Sequence, residues 1–183
     1  NRAACTLIHG GEVWKYSDTG QDLGTNWAQL NYDDSAWSNG PARLGYGDPA
    51  VATTVSFGQD ATNRHLTTYF RHTFDLDADA KFDDLQLLAK IDDGAVIYLN
   101  GREAARLSMP TGDVNSTTRA KSTPDEAAYQ RVQLDTKLLV EGRNILAVEV
   151  HQDDADSSDL SFDLELLARP LVAGRGQGDG GAD

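Results

Sequence analysis

The chain predicts an all-β sandwich, and three observations carry that expectation. Asp93-Gly94 and Asn100-Gly101 bracket a short apolar run from Ala95 to Leu99, and Asn-Gly suits a tight turn in which both central residues take positive φ. Just upstream, Leu85, Leu87, Ala89 and Ile91 alternate with Gln86, Leu88 and Lys90, a mostly period-two pattern. Residues 84–107 therefore read as three consecutive antiparallel strands. Amphipathic helices of useful length are missing throughout, so the remaining chain has to supply sheet to cover them.

Taken in order, residues 6–16 are β-prone, with Leu7, Ile8, Val13, Trp14 and Tyr16 broken by Gly10-Gly11. A polar loop spans 17–24. Residues 25–37, rich in aromatics and in Asp, Ser and Asn, suit an irregular packed segment with one helical turn. Ala42 to Gly47 is a short strand whose glycines allow a backbone to approach closely. Residues 48–66 read as a long loop, a kind of segment that is often functional in a compact domain. Thr67 to Leu76 is a clear strand, with Thr68, Phe70, His72 and Phe74 on one face.

Residues 108–127 are polar and hold no strand pattern, and Tyr129 to Leu134 returns to strand. Asp135 to Gly142 reads as a helical turn, with Asp135 as N-cap and Gly142 as its stop. Arg143 to His151 is apolar on both faces, as a central strand should be. In the last strand Leu160, Phe162, Leu164 and Leu166 alternate with Ser161, Asp163 and Glu165. The sandwich is expected over residues 1–169. The Gly-rich tail 170–183 should be flexible on its own, and its expected role is to lie along another chain.

The 183 residues fit one domain, long enough to bury a core without staples. Sixteen basic against twenty-nine acidic residues give a formal charge of −13, which repels nucleic acid and anionic lipid. Neither a membrane-spanning run nor a signal-peptide pattern is visible. Residue 1 is Asn, so an upstream segment is expected to have been removed or to lie outside this sequence. The single Cys5 cannot form an internal disulfide. It reads as an unpaired thiol near a frayed terminus, although Ala3-Ala4-Cys5 looks like the end of a lipidation site.

Three motifs in order point to a family: Tyr32-Asp-Asp-Ser-Ala-Trp37 with Leu44-Gly-Tyr-Gly47; Tyr69-Phe-Arg71 and Phe74 followed by Asp92-Asp-Gly-Ala-Val-Ile-Tyr-Leu-Asn-Gly101; and Gly142 to Gln152 with Ser158-Asp-Leu-Ser-Phe-Asp-Leu164. Together they resemble the galactose-binding-like jelly-roll sandwich of two antiparallel sheets. The version they resemble is attached to secreted bacterial hydrolases and surface proteins. The resemblance covers residues 12–168 and implies an extracytoplasmic location. It also implies ligand sites on loops at one end of the sandwich and, in some members, a structural calcium. The shared motifs are architectural, and such sandwiches serve as carbohydrate-binding modules, contact modules or spacers.

Catalytic signatures are missing: there is no Gly-x-Ser-x-Gly elbow, His-Glu-x-x-His helix or Cys-x-x-Cys pair. His9, His65, His72 and His151 are scattered. Gly174-Arg-Gly-Gln-Gly178 follows no βα unit and is tail rather than phosphate loop. A non-catalytic module is therefore expected. Its partner is either carbohydrate or the protein of a larger periplasmic or surface assembly. Sugars stack on aromatic rings, and Trp27, Trp37 and Tyr46 lie in loop-rich segments, although Trp37 also suits the edge of the core. Asp153, Asp154, Asp156 and Asp159 form an acidic loop whose oxygens are of the kind a calcium ion takes, although its spacing is not that of an EF-hand.

Overall fold

The computed structural model describes residues 3–121 and 129–171. The chain opens with β1 (Cys5–Ile8), β2 (Val13–Ser17) and a 3-10 turn at Asn26–Ala28. Short strands β3 (Ser38–Pro41), β4 (Leu44–Tyr46) and β5 (Thr53–Thr54) lead to the long β6 (Thr67–Leu76) and β7 (Phe82–Asp92). Then come β8 (Gly94–Leu99), β9 (Arg102–Leu107), β10 (Gln130–Gln133), a 3-10 turn at Thr136–Leu138, β11 (Gly142–His151) and β12 (Leu160–Pro170). One sheet runs β10-β7-β12-β4-β5, with β1 also on β12; the other runs β3-β2-β6-β11-β8-β9. Pairing is antiparallel except between β4 and the two-residue β5, which run parallel.

The inward positions of the alternating strands meet between the sheets. Leu85, Leu87, Ala89 and Ile91 of β7 face inward with Leu160, Phe162, Leu164 and Leu166 of β12. Phe162 joins the two layers: it stacks on Phe70 at 4.1 Å and meets the Trp14 indole edge-on at 4.9 Å. Offset stacking and edge-to-face contact are the favoured geometries for aromatic pairs. As expected of a central strand, β11 lies between β6 and β8 and is buried on both faces from Asn144 onward.

Several expectations change in detail. Residues 84–107 do not form three consecutive paired strands. The edges of β7 are taken by β10 and β12, so β8 crosses to the other sheet and pairs with β11 and β9. Asp93-Gly94 is therefore a crossing point, and Gly94 is needed there because a Cβ would lie 2.8 Å from that of Ala120. Cys5 is not frayed: it belongs to β1, pairs opposite Ala168 and is half-buried. Asp135 caps its turn by accepting the Lys137 N–H at 2.9 Å, whereas Gly142, at φ 76°, opens β11 instead of stopping the turn. Residues 172–183, and with them the expected contact of the tail with another chain, lie outside the described residues.

The β8–β9 hairpin behaves as its dipeptide demands, with Asn100 at φ 53° and Gly101 at φ 77°. Gly101→Val should lower stability by ~1–2 kcal/mol, because a β-branched residue opposes that backbone. Gly45→Ala should cost more, on the order of 3 kcal/mol, since its Cβ would fall 1.8 Å from the Leu160 carbonyl oxygen. Urea midpoints rank the two variants, and the reverse order would contradict this account of the two glycines.

Candidate functional site: a cleft on the outer face of the second sheet

The second sheet is not bare on its outer side. Asn39, Lys15, Arg71 and Ala147 stand in register across β3, β2, β6 and β11. The segment 25–37 lies over part of this face, with Trp27 packed on Tyr69, Ile145 and Ala147. Trp27 meets the rings of Tyr69 and Tyr98 edge-on at 4.8 and 5.6 Å. This packing helps to bury β6 on both faces along its first half, from Thr67 to Arg71.

The polar fastening of the segment is Arg71, whose side chain is only 2% exposed. Its Nε donates to Asp34 Oδ2 at 2.7 Å, and Nη1 donates to the carbonyls of Trp27 and Gln29. Asp34 Oδ1 accepts from Lys15 Nζ at 2.6 Å. Burial pushes the Asp34 carboxyl upward, but the hydrogen bonds and charges of Lys15 and Arg71 outweigh it, so its pKa lies below the ordinary 3.8. The rigid fork of a guanidinium suits this task, because it holds several acceptors in one plane.

Beside the segment, the sheet and the chain above it enclose a cleft of ≈ 430 Å³, within the range of about 300–1,000 Å³ typical of small-ligand sites. Val13, Thr73 and Arg143 belong to its sheet side, and Leu30, Tyr32 and Asp34 to its wall. Val13 is 53% and Leu30 39% exposed, so apolar surface is open here. The half-buried Tyr32 ring rests on the Arg71 guanidinium, 5.3 Å from the ring centroid, and meets Trp37 edge-on at 6.0 Å. Its position is fixed before any ligand arrives. Tyr32 also borders a second, more open depression of ≈ 690 Å³ with Asn26, Gln29, Asn31 and Asp33.

The aromatic residues singled out from sequence fall in three places. Trp27 is 1% exposed and forms part of the core beneath the segment, so its indole has no face for a ligand. Trp37 is half-buried behind Tyr32. Tyr46 is buried at one end of the sandwich, where its hydroxyl accepts from Gln152 Nε2 at 2.7 Å. Phe57 lies 5.2 Å from the Tyr46 ring and the Arg64 guanidinium 5.3 Å. The three do not share a surface. The ring that borders the cleft is Tyr32, which sequence reasoning left inside an architectural motif. The readable signal was its place in a polar, loop-like segment next to Asp33-Asp34.

At the Tyr46 end the loops are tied chiefly to one another. Asp18 Oδ2 accepts the Ser56 N–H at 2.6 Å, and Arg64 Nη1 donates to the Ser157 carbonyl. The acidic loop is dispersed by similar contacts. Asp154 pairs with Arg119 at 2.6 Å, the Asp153 N–H donates to Asp93 Oδ2 at 2.7 Å, and Asp159 accepts from Ser158 Oγ at 3.0 Å. Among the described residues no group of three or more His, Cys, Asp or Glu is placed to hold a metal ion. The histidines are likewise dispersed. His151 is buried at 3.3 Å from Glu149, and the His65 ring lies against Gly20 and Gly58.

The sequence matches no family model and no curated protein sequence. Solved structures do resemble it. A β-glycosidase from Bacteroides vulgatus aligns over 91% of this chain at 18% identity and TM-score 0.53. A β-glucuronidase from Bacteroides uniformis aligns over 92% at 19% identity and TM-score 0.56. A β-glucuronidase from Ruminococcus gnavus aligns over 92% at 12% identity and TM-score 0.58. The likeness is one of fold. This chain spans 20%, 18% and 29% of the respective glycosidase chains, so a β-sandwich of this kind is a small part of each.

Asp34→Asn should destabilise the domain by on the order of 2 kcal/mol, because Arg71 loses a charged partner where it is buried. The pH dependence has a fixed sign. With its folded pKa lowered from 3.8, the carboxylate's contribution is complete above that value and vanishes as pH falls through the folded pKa. Denaturation of wild type and variant should therefore differ at pH 7 and converge in acid, once pH has fallen below the lowered pKa of Asp34. A gap that persists in acid would contradict the ion-pair account.

Proposed function

We propose that this protein is a non-catalytic carbohydrate-binding β-sandwich of the galactose-binding-like, jelly-roll kind, which takes its glycan in the Tyr32 cleft. The observation that carries the reading is a pre-positioned, half-buried tyrosine ring bordered by open apolar groups and by exposed amides. Sugars ask for this combination: an apolar surface for the ring face and a few polar groups that fix orientation. Such a site differs from the end loops that the sequence resemblance points to. The fold likeness to glycosidase chains supports a carbohydrate-related role for an accessory domain.

Catalysis draws no support from the cleft. Glycoside hydrolysis ordinarily needs two facing carboxyl groups, one of them an acid of raised pKa. The carboxylates here are Asp34 and Asp33, both held below the ordinary value; for Asp33 the cause is hydrogen bonding from Ser35. Polysaccharides are too large to cross a membrane, so the proposed ligand places the protein outside the cytoplasm. A second reading, docking on a larger protein, has one observation in its favour: in each glycosidase above the matching fold is a minor part of a longer chain.

Tyr32→Ala should abolish retention on insoluble or gel-embedded polysaccharide while leaving the melting temperature nearly unchanged. Trp27→Ala should instead cost ~3–5 kcal/mol as a core truncation. Affinity electrophoresis and thermal melts run on both variants separate the two roles. Undiminished retention by a folded Tyr32→Ala protein would remove the cleft as the binding site.

A further inference from the structure

We infer that the glycan is an uncharged polysaccharide and that the site holds at least two consecutive sugar units, one on each side of Tyr32. This rests on the carbohydrate-binding reading and adds to it the chemical class of ligand and the extent of the site.

The two-unit claim follows from Tyr32 bordering both depressions. On one side is the cleft of ≈ 430 Å³ with Val13, Leu30 and Asn39; on the other is the depression of ≈ 690 Å³ with Asn26, Gln29 and Asn31. A ring that forms the ridge between two hollows can be flanked by neighbouring units of one chain. The turn that carries Tyr32 is fixed by its N–H, which donates to the Gln29 carbonyl at 3.2 Å, and by the ring's contacts with Arg71 and Trp37. Little ordering is then required on binding, which favours affinity.

The absence of charge on the ligand follows from how the charged groups of the site are used. Lys15 and Arg71 both pair with Asp34, and Arg143 stands 3.7 Å from Asp75. A carboxylated or sulfated sugar would have to compete with Asp34 or Asp75 for these cations. It would also approach a protein of formal charge −13, whose field disfavours polyanions. Among the described side chains that line the two hollows, the exposed amides of Asn26, Gln29, Asn31 and Asn39 make no hydrogen bond to the protein. A carboxamide donates and accepts at once, which matches the paired hydroxyls of a neutral sugar and gives an anion no net charge to bind.

The test is calorimetric titration with length ladders, from one to six units, of neutral cello-, xylo-, manno- and galacto-oligosaccharides, beside an oligogalacturonate ladder. A neutral trisaccharide should bind at least about tenfold more tightly than its monosaccharide, a step of 1.4 kcal/mol. The gain should level off beyond three or four units, and raising the salt should leave it intact. Asn31→Ala, on the far side of the ridge, should weaken the trisaccharide while leaving the monosaccharide unchanged. Equal affinity for one and three units would overturn the two-unit site while leaving carbohydrate binding in place. Preference for oligogalacturonate, lost at high salt, would overturn the neutral class alone. Silence across every ladder, with the protein folded, would remove the carbohydrate reading itself and this inference with it.

Discussion

The outer face of the second sheet depends on one buried guanidinium. Arg71 leaves the middle of β6 and gathers the carboxylate of Asp34 and the carbonyls of Trp27 and Gln29. Four of the nine residues from 26 to 34 are thereby committed to one position, either through Arg71 or, for Tyr32, by resting on it. A short irregular stretch cannot satisfy its own backbone as a strand does. Without a charged donor beneath it, those carbonyls and that carboxylate would turn to water. Trp27 and Tyr69 supply the apolar half of the same contact, so the segment is held by burial and oriented by hydrogen bonds. The cleft, the ridge of Tyr32 and the amide-rich depression are all consequences of where this segment comes to rest.

Much of the sandwich was legible from local pattern. Alternation marked β7 and β12, and Asn100-Gly101 marked its hairpin, because a period of two and a positive φ are properties of a few neighbouring residues. The crossing at Asp93-Gly94 was not legible. Whether β8 pairs with β7 or leaves for β11 depends on which edges β10 and β12 occupy, and those strands lie some 40 to 70 residues further along the chain. The site was less readable still. Trp27 and Tyr32 both sit in a polar segment, and only the fold decides that the first points into the sheet and the second borders a hollow. Arg71 gave no sign of its role, since the residues it binds are 37 or more positions earlier. Composition alone likewise cannot show that, within the acidic run, Asp154 turns to Arg119 and the Ala155 N–H, and Asp159 to Ser158.

The comparison with glycosidase chains fits this division. At 12 to 19% identity the likeness is one of fold, which rests on the alternation of buried and exposed positions. The side chains that would recognise a ligand are not constrained by that alternation, because function resides in sites carried on folds and not in the folds themselves. The Tyr32 cleft therefore has to be judged on its own geometry.

Amide chemical-shift mapping by NMR, with a neutral oligosaccharide mixture titrated into the labelled protein, addresses that geometry most directly. The account predicts that the largest perturbations fall on residues 26–34 and 39, with smaller ones in β2 and β6 beneath them. Perturbations centred instead on the loops around Tyr46 and residues 153–159 would contradict it, and would return the binding site to the end of the sandwich.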